Sequence, residues 1–224
     1  MRITKIMGAG MAGALLLVAP CAALAQENNV ATTPPQPAAA QLAAAQPPSS
    51  GPAASFVDPS FPVPTMAKGP GFKLAPLGPD LVKVDFDAYM SSIAHLQTTF
   101  SRSTSWPHEG ITDAEAMQDM LNEQARFKAR TSFAYSVLTP DGRRERGSVY
   151  VSPSPVKGYD AVVRMWVTKA DYDAGFDAQL YKWVRRWAKA KWPFKSVAYP
   201  GRTIAWSDWD GRVAAAKASA AGTN

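Results

Sequence analysis

Over the first 60 residues the apolar positions follow no period, and prolines and alanines dominate. After about residue 70 the pattern becomes regular. Phe72 to Pro76 reads as a short strand that stops at Gly78-Pro79. From Asp80 to Thr99, the apolar residues Phe86, Met90, Ile93 and Phe100 step by three, four and seven, the spacing of one helix face. "SRSTSWPHEGI" is a loop, and "TDAE" (Thr112 to Glu115) is a capping box: the Thr112 side chain can accept from the third helical amide while Glu115 reaches back. A second helix is therefore expected to about Arg130, with Met117, Met120 and Leu121 facing inward. "SFAYSVL" alternates Phe133, Tyr135 and Val137 against Ala134, Ser136 and Leu138, which is a strand. Pro140 to Gly142 is a turn, and Gly147 to Ser152 returns as the second arm of a hairpin. Ala161 to Val167 is apolar on both faces except at Arg164, as a strand in the middle of a covered sheet would be.

A third helix is expected from about Asp177 to Lys191, with Phe176, Leu180, Trp183, Val184 and Trp187 as its buried stripe and Pro193 as its stop. Lys195 to Gly201 reads as the last strand. The order is β-α-α-β-β-β-α-β. The strand, helix and strand that end it form a crossover whose two strands run parallel. The fold class is therefore α/β (α+β), a mixed β-sheet flanked by helices. Residues 211–224 read as a weak helix fraying into a flexible tail.

The unpatterned start has its own logic. Arg2 and Lys5 precede an apolar run from Gly8 to Ala19, and Ala23-Leu24-Ala25 is an A-x-A site. Residues 1–25 are expected to be a secretory signal cleaved after Ala25, which makes the protein secreted or periplasmic. The run is short for a membrane span, and Pro20 interrupts it, so no span is expected in the mature chain. An internal start at Met66 would instead leave the domain cytoplasmic. Residues 26–68 read as a disordered, semi-extended Pro/Ala-rich linker, because they hold too little apolar surface to offset their ordering entropy. The folded unit is then 69–210.

Cleavage would remove Cys21, the one cysteine. No disulfide, thiolate nucleophile or sulfur ligand would remain. The formal net charge is +6. Lys182, Arg185, Arg186, Lys189, Lys191 and Lys195 crowd one stretch without an acid among them, which reads first as a solvated face. No nucleic-acid partner is expected. His95 and His108 lie in different elements without an H-E-x-x-H pattern, so no metal site is expected. No G-x-S-x-G or phosphate-loop motif is present.

Taken together, "FKLAPLGPDLVKVDFDAYMSSI", "WPHEGIT", "FAYSVLTPDG", "GSVYVSPS", "VRMWV" and "WPFKSVAYPGR" resemble the GNAT (Gcn5-related N-acetyltransferase) superfamily over about residues 70–206. The resemblance implies acyl transfer from acetyl-CoA, or another acyl-thioester, to an unidentified amine. It implies that the pantetheine arm lies along strand Ala161 to Val167, where that strand splays from the next. The diphosphate would sit on the turn Thr168 to Phe176 and the helix N-terminus behind it. On that basis Met165, Trp166, Val167, Thr168, Lys169, Gly175 and Phe176 are the candidate cofactor-binding residues. Tyr150, Glu109 and His108 are the candidate catalytic acid and base. The turn departs from the family pattern: it holds the single glycine Gly175 and the acids Asp171, Asp173 and Asp177, which suit a helix N-terminus. After Gly201 the chain lacks the family's last strands. The alternative reading is a secreted, non-catalytic GNAT-fold module for binding or dimerisation, with a homodimer formed through an exposed sheet edge.

Overall fold

The computed structural model describes residues 55–222. The expected signal and most of the expected linker lie outside them. A six-stranded sheet runs in sequence order: β1 (Ala67–Gly69), β2 (Phe72–Pro76), β3 (Phe133–Leu138), β4 (Glu145–Pro153), β5 (Ala161–Val167) and β6 (Val197–Ala198). Every pairing is antiparallel except β5 with β6, which is parallel. The helices are α1 (Val82–Met90), α2 (Ile93–Leu96, continued by a wide turn over Gln97–Ser101), α3 (Asp113–Lys128), α4 (Lys169–Asp173), α5 (Phe176–Lys191) and α6 (Trp206–Ala221). The expected mixed sheet flanked by helices is present.

Strand alternation divides the core into two layers. Phe133, Tyr135 and Val137 of β3, Val149 and Val151 of β4, and Val163, Met165 and Val167 of β5 meet the α5 stripe of Phe176, Leu180, Val184 and Trp187. Trp166 faces the other way and packs with Tyr89 of α1, Leu96 of α2, Phe100 and Trp106. β5 is buried on both sides except at Arg164, as its apolar pattern requires. The capping box of α3 is formed: Thr112 Oγ1 accepts from the Glu115 amide at 3.2 Å, and Glu115 accepts from the Thr112 amide at 2.8 Å.

Several expectations are corrected. The linker does not extend to residue 68. Val57 is buried, Phe56 stacks on Phe194 with ring centroids 5.0 Å apart, and Phe61 meets Trp192 at 5.8 Å. The Phe56 amide donates to the Arg130 carbonyl at 2.8 Å, and Tyr135 Oη donates to the Pro64 carbonyl at 2.8 Å. The expected first helix over Asp80 to Thr99 is broken at Ser91-Ser92. Ser91 Oγ takes its own chain's Ala88 carbonyl at 2.7 Å, and Ser92 Oγ accepts the distant Lys169 amide at 2.9 Å, so both hydroxyls divert the backbone from a continued helix. Leu121, expected inside, is exposed, while Met120 is buried.

The last strand is only Val197–Ala198. Pro200 has no N–H with which to continue the ladder, and the Asp160 carboxylate takes the Lys195 and Ser196 amides at 2.7 and 2.9 Å. The expected flexible tail over 211–224 is helical as far as Ala221. Trp209 anchors it by packing on Val162 and Ala198, which covers the β6 side of the sheet.

Candidate functional site

The parallel ladder between β5 and β6 holds only Ala161 with Val197 and Val162 with Ala198. Beyond it the two chains diverge. A cleft of about 260 Å³ opens in the divergence, with Met165, Trp166 and Val167 on one side and Pro200, Gly201 and Arg202 on the other. The turn from His95 to Phe100 closes its third side, and Tyr172, Asp177 and Trp206 frame its mouth. Thr168 donates its amide to the Arg146 carbonyl at 2.9 Å, which fixes the phase of β5. Even-numbered residues therefore turn their amides toward β4 and odd-numbered ones toward β6: Val163 within the two-pair ladder, and Met165 beyond it, at the cleft. Gly201 has φ +73°, and a Cβ there would stand 2.4 Å from Trp206 Nε1, so Trp206 packs on bare backbone.

Of the ten residues the sequence nominated, the cleft gathers three: Met165, Trp166 and Val167. Thr168 instead caps α4, accepting from the Asp171 amide at 3.2 Å. Lys169 pairs with Asp173 at 2.6 Å, on the solvent side. Gly175 is left-handed, with φ +76°, and forms the corner between α4 and α5. Phe176 is buried beneath the Arg146 guanidinium, 3.3 Å from its ring centroid. His108 and Glu109 are exposed on a loop, where His108 Nδ1 meets the Glu109 carbonyl at 2.8 Å. Tyr150 stands behind the cleft wall. Its hydroxyl accepts from Trp166 Nε1 at 3.4 Å, its ring lies 5.6 Å from Phe100, and burial raises its phenol well above the usual range. The three catalytic candidates do not meet.

The turn is a packed helical corner rather than an open loop. Asp171 Oδ1 accepts from Arg146 Nε at 2.7 Å, and its Oδ2 accepts from Arg144 Nη1 at 2.5 Å and from Thr168 Oγ1 at 2.8 Å. Burial works to raise this carboxyl, but those hydrogen bonds outweigh it and hold the group below the usual carboxylate range. At the first turn of α5, where a diphosphate would use the helix dipole, the Asp177 carboxylate is gripped by both arms of the Arg202 guanidinium, with Nη2 to Oδ1 at 2.6 Å. Asp177 thus fills the anionic position, and Arg202 brings its cation to it across the cleft. The residues fit an extended arm along β5 but not a nucleotide diphosphate. Among the described residues, no group of three or more His, Cys, Asp or Glu is placed to hold a metal ion.

His95 is the cleft residue that the sequence did not single out. Its ring hydrogen-bonds the Val167 carbonyl, and burial followed by the Lys169 charge lowers its pKa below the ordinary histidine value. It lies 4.8 Å from the Tyr172 ring, centroid to centroid. The pattern could not find it, because a lone histidine in a helical stretch carries no partner signal.

No protein-family model matches the chain, and no curated protein matches it. Solved structures do align. One is the ribosomal-protein-S5-alanine acetyltransferase from Vibrio fischeri: 12% identity, 55% of this chain, 66% of that one, TM-score 0.43. Another is assigned as a ribosomal-protein-serine acetyltransferase from Vibrio cholerae: 12% identity, 58% of this chain, 68% of that one, TM-score 0.44. A third is assigned to the GnaT-family acetyltransferases, from Bordetella pertussis: 16% identity, 56% and 72% coverage, TM-score 0.40. The chain spans just under two thirds of the Vibrio fischeri protein. The antiparallel sheet, the parallel closing pair and the divergence beyond it are the arrangement that the sequence resemblance implied. The Thr168 to Phe176 corner is built around three acids, Asp171, Asp173 and Asp177.

Proposed function

We propose that this chain is a non-catalytic GNAT-fold binding module, which keeps the splay cleft for an extended ligand and has closed the nucleotide end of it. The observation that carries the reading is the Asp177–Arg202 pair at the first turn of α5. A phosphate there would meet a carboxylate, at a cost on the order of 1 kcal/mol at 4 Å even in water. It would also find the nearest guanidinium already engaged. Past the end of the β5–β6 ladder, the β5 edge at Met165 remains suited to an arm or peptide added as a short extra strand. The scattering of His108, Glu109 and Tyr150 supports the same reading.

One observation favours a second reading, an N-acyltransferase that uses an acyl-thioester donor. His95 stands in the cleft with a lowered pKa, as a neutral imidazole able to take a proton from an amine. Amide chemical shifts of the full chain, followed while S-acetylpantetheine and then acetyl-CoA are titrated in, separate the two. The binding-module reading expects the Met165 amide to shift with both ligands, at similar affinity. Acetyl-CoA binding tenfold or more tighter than S-acetylpantetheine would show a working diphosphate site and would favour the enzyme.

A further inference from the structure

Lys182, Arg185, Arg186 and Lys189 occupy positions i, i+3, i+4 and i+7 of α5, and all are exposed. That spacing places them on one face. The opposite face is the buried stripe of Leu180, Val184 and Trp187, so the cations point directly away from the sheet. Around the cleft and the corner before α5 the cations are matched: Arg144 and Arg146 with Asp171, Lys169 with Asp173, Arg202 with Asp177, Arg102 with Asp210. None of the ion pairs among the described residues includes the four cations of this face. Arg185 leans over the Tyr181 and Tyr199 rings, at 5.7 and 6.0 Å, and remains exposed. Helix-dipole compensation accounts for Lys189 and Lys191 in the last turn. It does not account for Lys182, Arg185 and Arg186 in the middle, where like charges at this spacing weaken a helix.

We infer that this face of α5 docks the domain on an anionic lipid surface. The cations lie along roughly 10 Å of a helix packed flat on the sheet, a broad strip with no projecting element to enter a nucleic-acid groove. Export through the segment expected at Gly8 to Ala19 would carry the domain across a membrane and leave it facing anionic leaflets. A flat strip of four unpaired cations matches a leaflet of anionic headgroups, and each cation adds about fivefold to the partition.

The test is co-sedimentation of the full chain with phosphatidylcholine vesicles and with vesicles containing phosphatidylglycerol. The readout is the ratio of the two partition constants in parent and variant; the N-terminal segment, with Arg2 and Lys5, contributes equally to both, so the change between them isolates α5. The parent should prefer the anionic vesicles by at least tenfold at low salt and lose that preference in 0.5 M salt. The variant Lys182→Gln/Arg185→Gln/Arg186→Gln/Lys189→Gln keeps helix-forming, exposed side chains, and its ratio should fall at least tenfold below the parent's. Circular dichroism verifies its fold. An unchanged ratio in that variant, or a parent with no anionic preference, overturns the inference. So does tighter binding to duplex DNA than to anionic vesicles at equal salt.

Discussion

Replacing Glu145 with Gln should flatten the dependence of stability on pH. Glu145 opens β4 and is 1% exposed. It accepts from Ser136 Oγ at 2.6 Å and from Ser148 Oγ at 2.7 Å, and it shares a hydrogen bond with the buried Asp85 of α1. Burial pushes the Glu145 carboxyl up from 4.5 to about 7, although the bonds from Ser136, Ser148 and Asp85 pull the other way. Asp85 is raised well above the usual range, by burial first and then by the Glu145 charge. The pair therefore holds a proton that the unfolded chain would release. For a group whose folded pKa is raised, the stability contribution is complete below the unfolded value and is lost as pH rises through the folded one. The window is about pH 4.5 to 7, and at about 1.4 kcal/mol per unit the loss by pH 8 is about 3 kcal/mol. Gln keeps an acceptor for one serine and carries no charge to bury. Urea unfolding of parent and variant at pH 5, 6, 7 and 8 measures the effect. Asp119, whose burial raises it to about 6, titrates in both proteins, so the difference between the curves reports Glu145 together with its coupling to Asp85. The parent should lose about 2–3 kcal/mol more than the variant between pH 5 and 8. Parallel curves would refute the buried proton.

Other expectations follow from the packing. A chain beginning at Met66 loses Val57 and the aromatic contacts of Phe56 and Phe61, and should be less stable by on the order of 3–5 kcal/mol in chemical denaturation. Equal stability would mean that the docked segment adds nothing. Asp171→Ala leaves Arg144 and Arg146 without their acceptor and should cost about 2–3 kcal/mol at pH 7, less than a fully buried pair because Arg144 is half exposed. In the parent, the lowered Asp171 pKa makes this contribution present above about pH 4 and lost as pH falls below it. Acid melts of parent and variant should therefore converge at low pH.

Much of the fold was legible in the chain. The ends of β2 and β5 fall at the residues where turn signals and apolar runs change, and α3 begins at its capping box. These are local signals. What escaped was set by contacts between distant residues. Residues 55–66 read as linker because their few apolar groups have no period, yet Phe56 and Phe61 fill gaps left between Phe133, Trp192 and Phe194. At the site, spacing placed β5 and the turn correctly. It could not tell which acid occupies the helix end, since Arg202 lies 25 residues from Asp177. Asp171 and Asp173, equally acidic in the sequence, are spent on Arg144, Arg146 and Lys169. The same holds for Asp85 and Glu145, which no periodicity joins.

The central claim, that Asp177 and Arg202 close the nucleotide end of the cleft, is tested most directly by calorimetry of acetyl-CoA on the full chain and on its Asp177→Asn variant. Asn keeps the first turn of α5 hydrogen-bonded, removes the carboxylate and frees Arg202. The account predicts that the parent binds acetyl-CoA no more tightly than S-acetylpantetheine, and that the variant gains at least tenfold in affinity for acetyl-CoA. Micromolar binding by the parent, unchanged or weakened by Asp177→Asn, would contradict it.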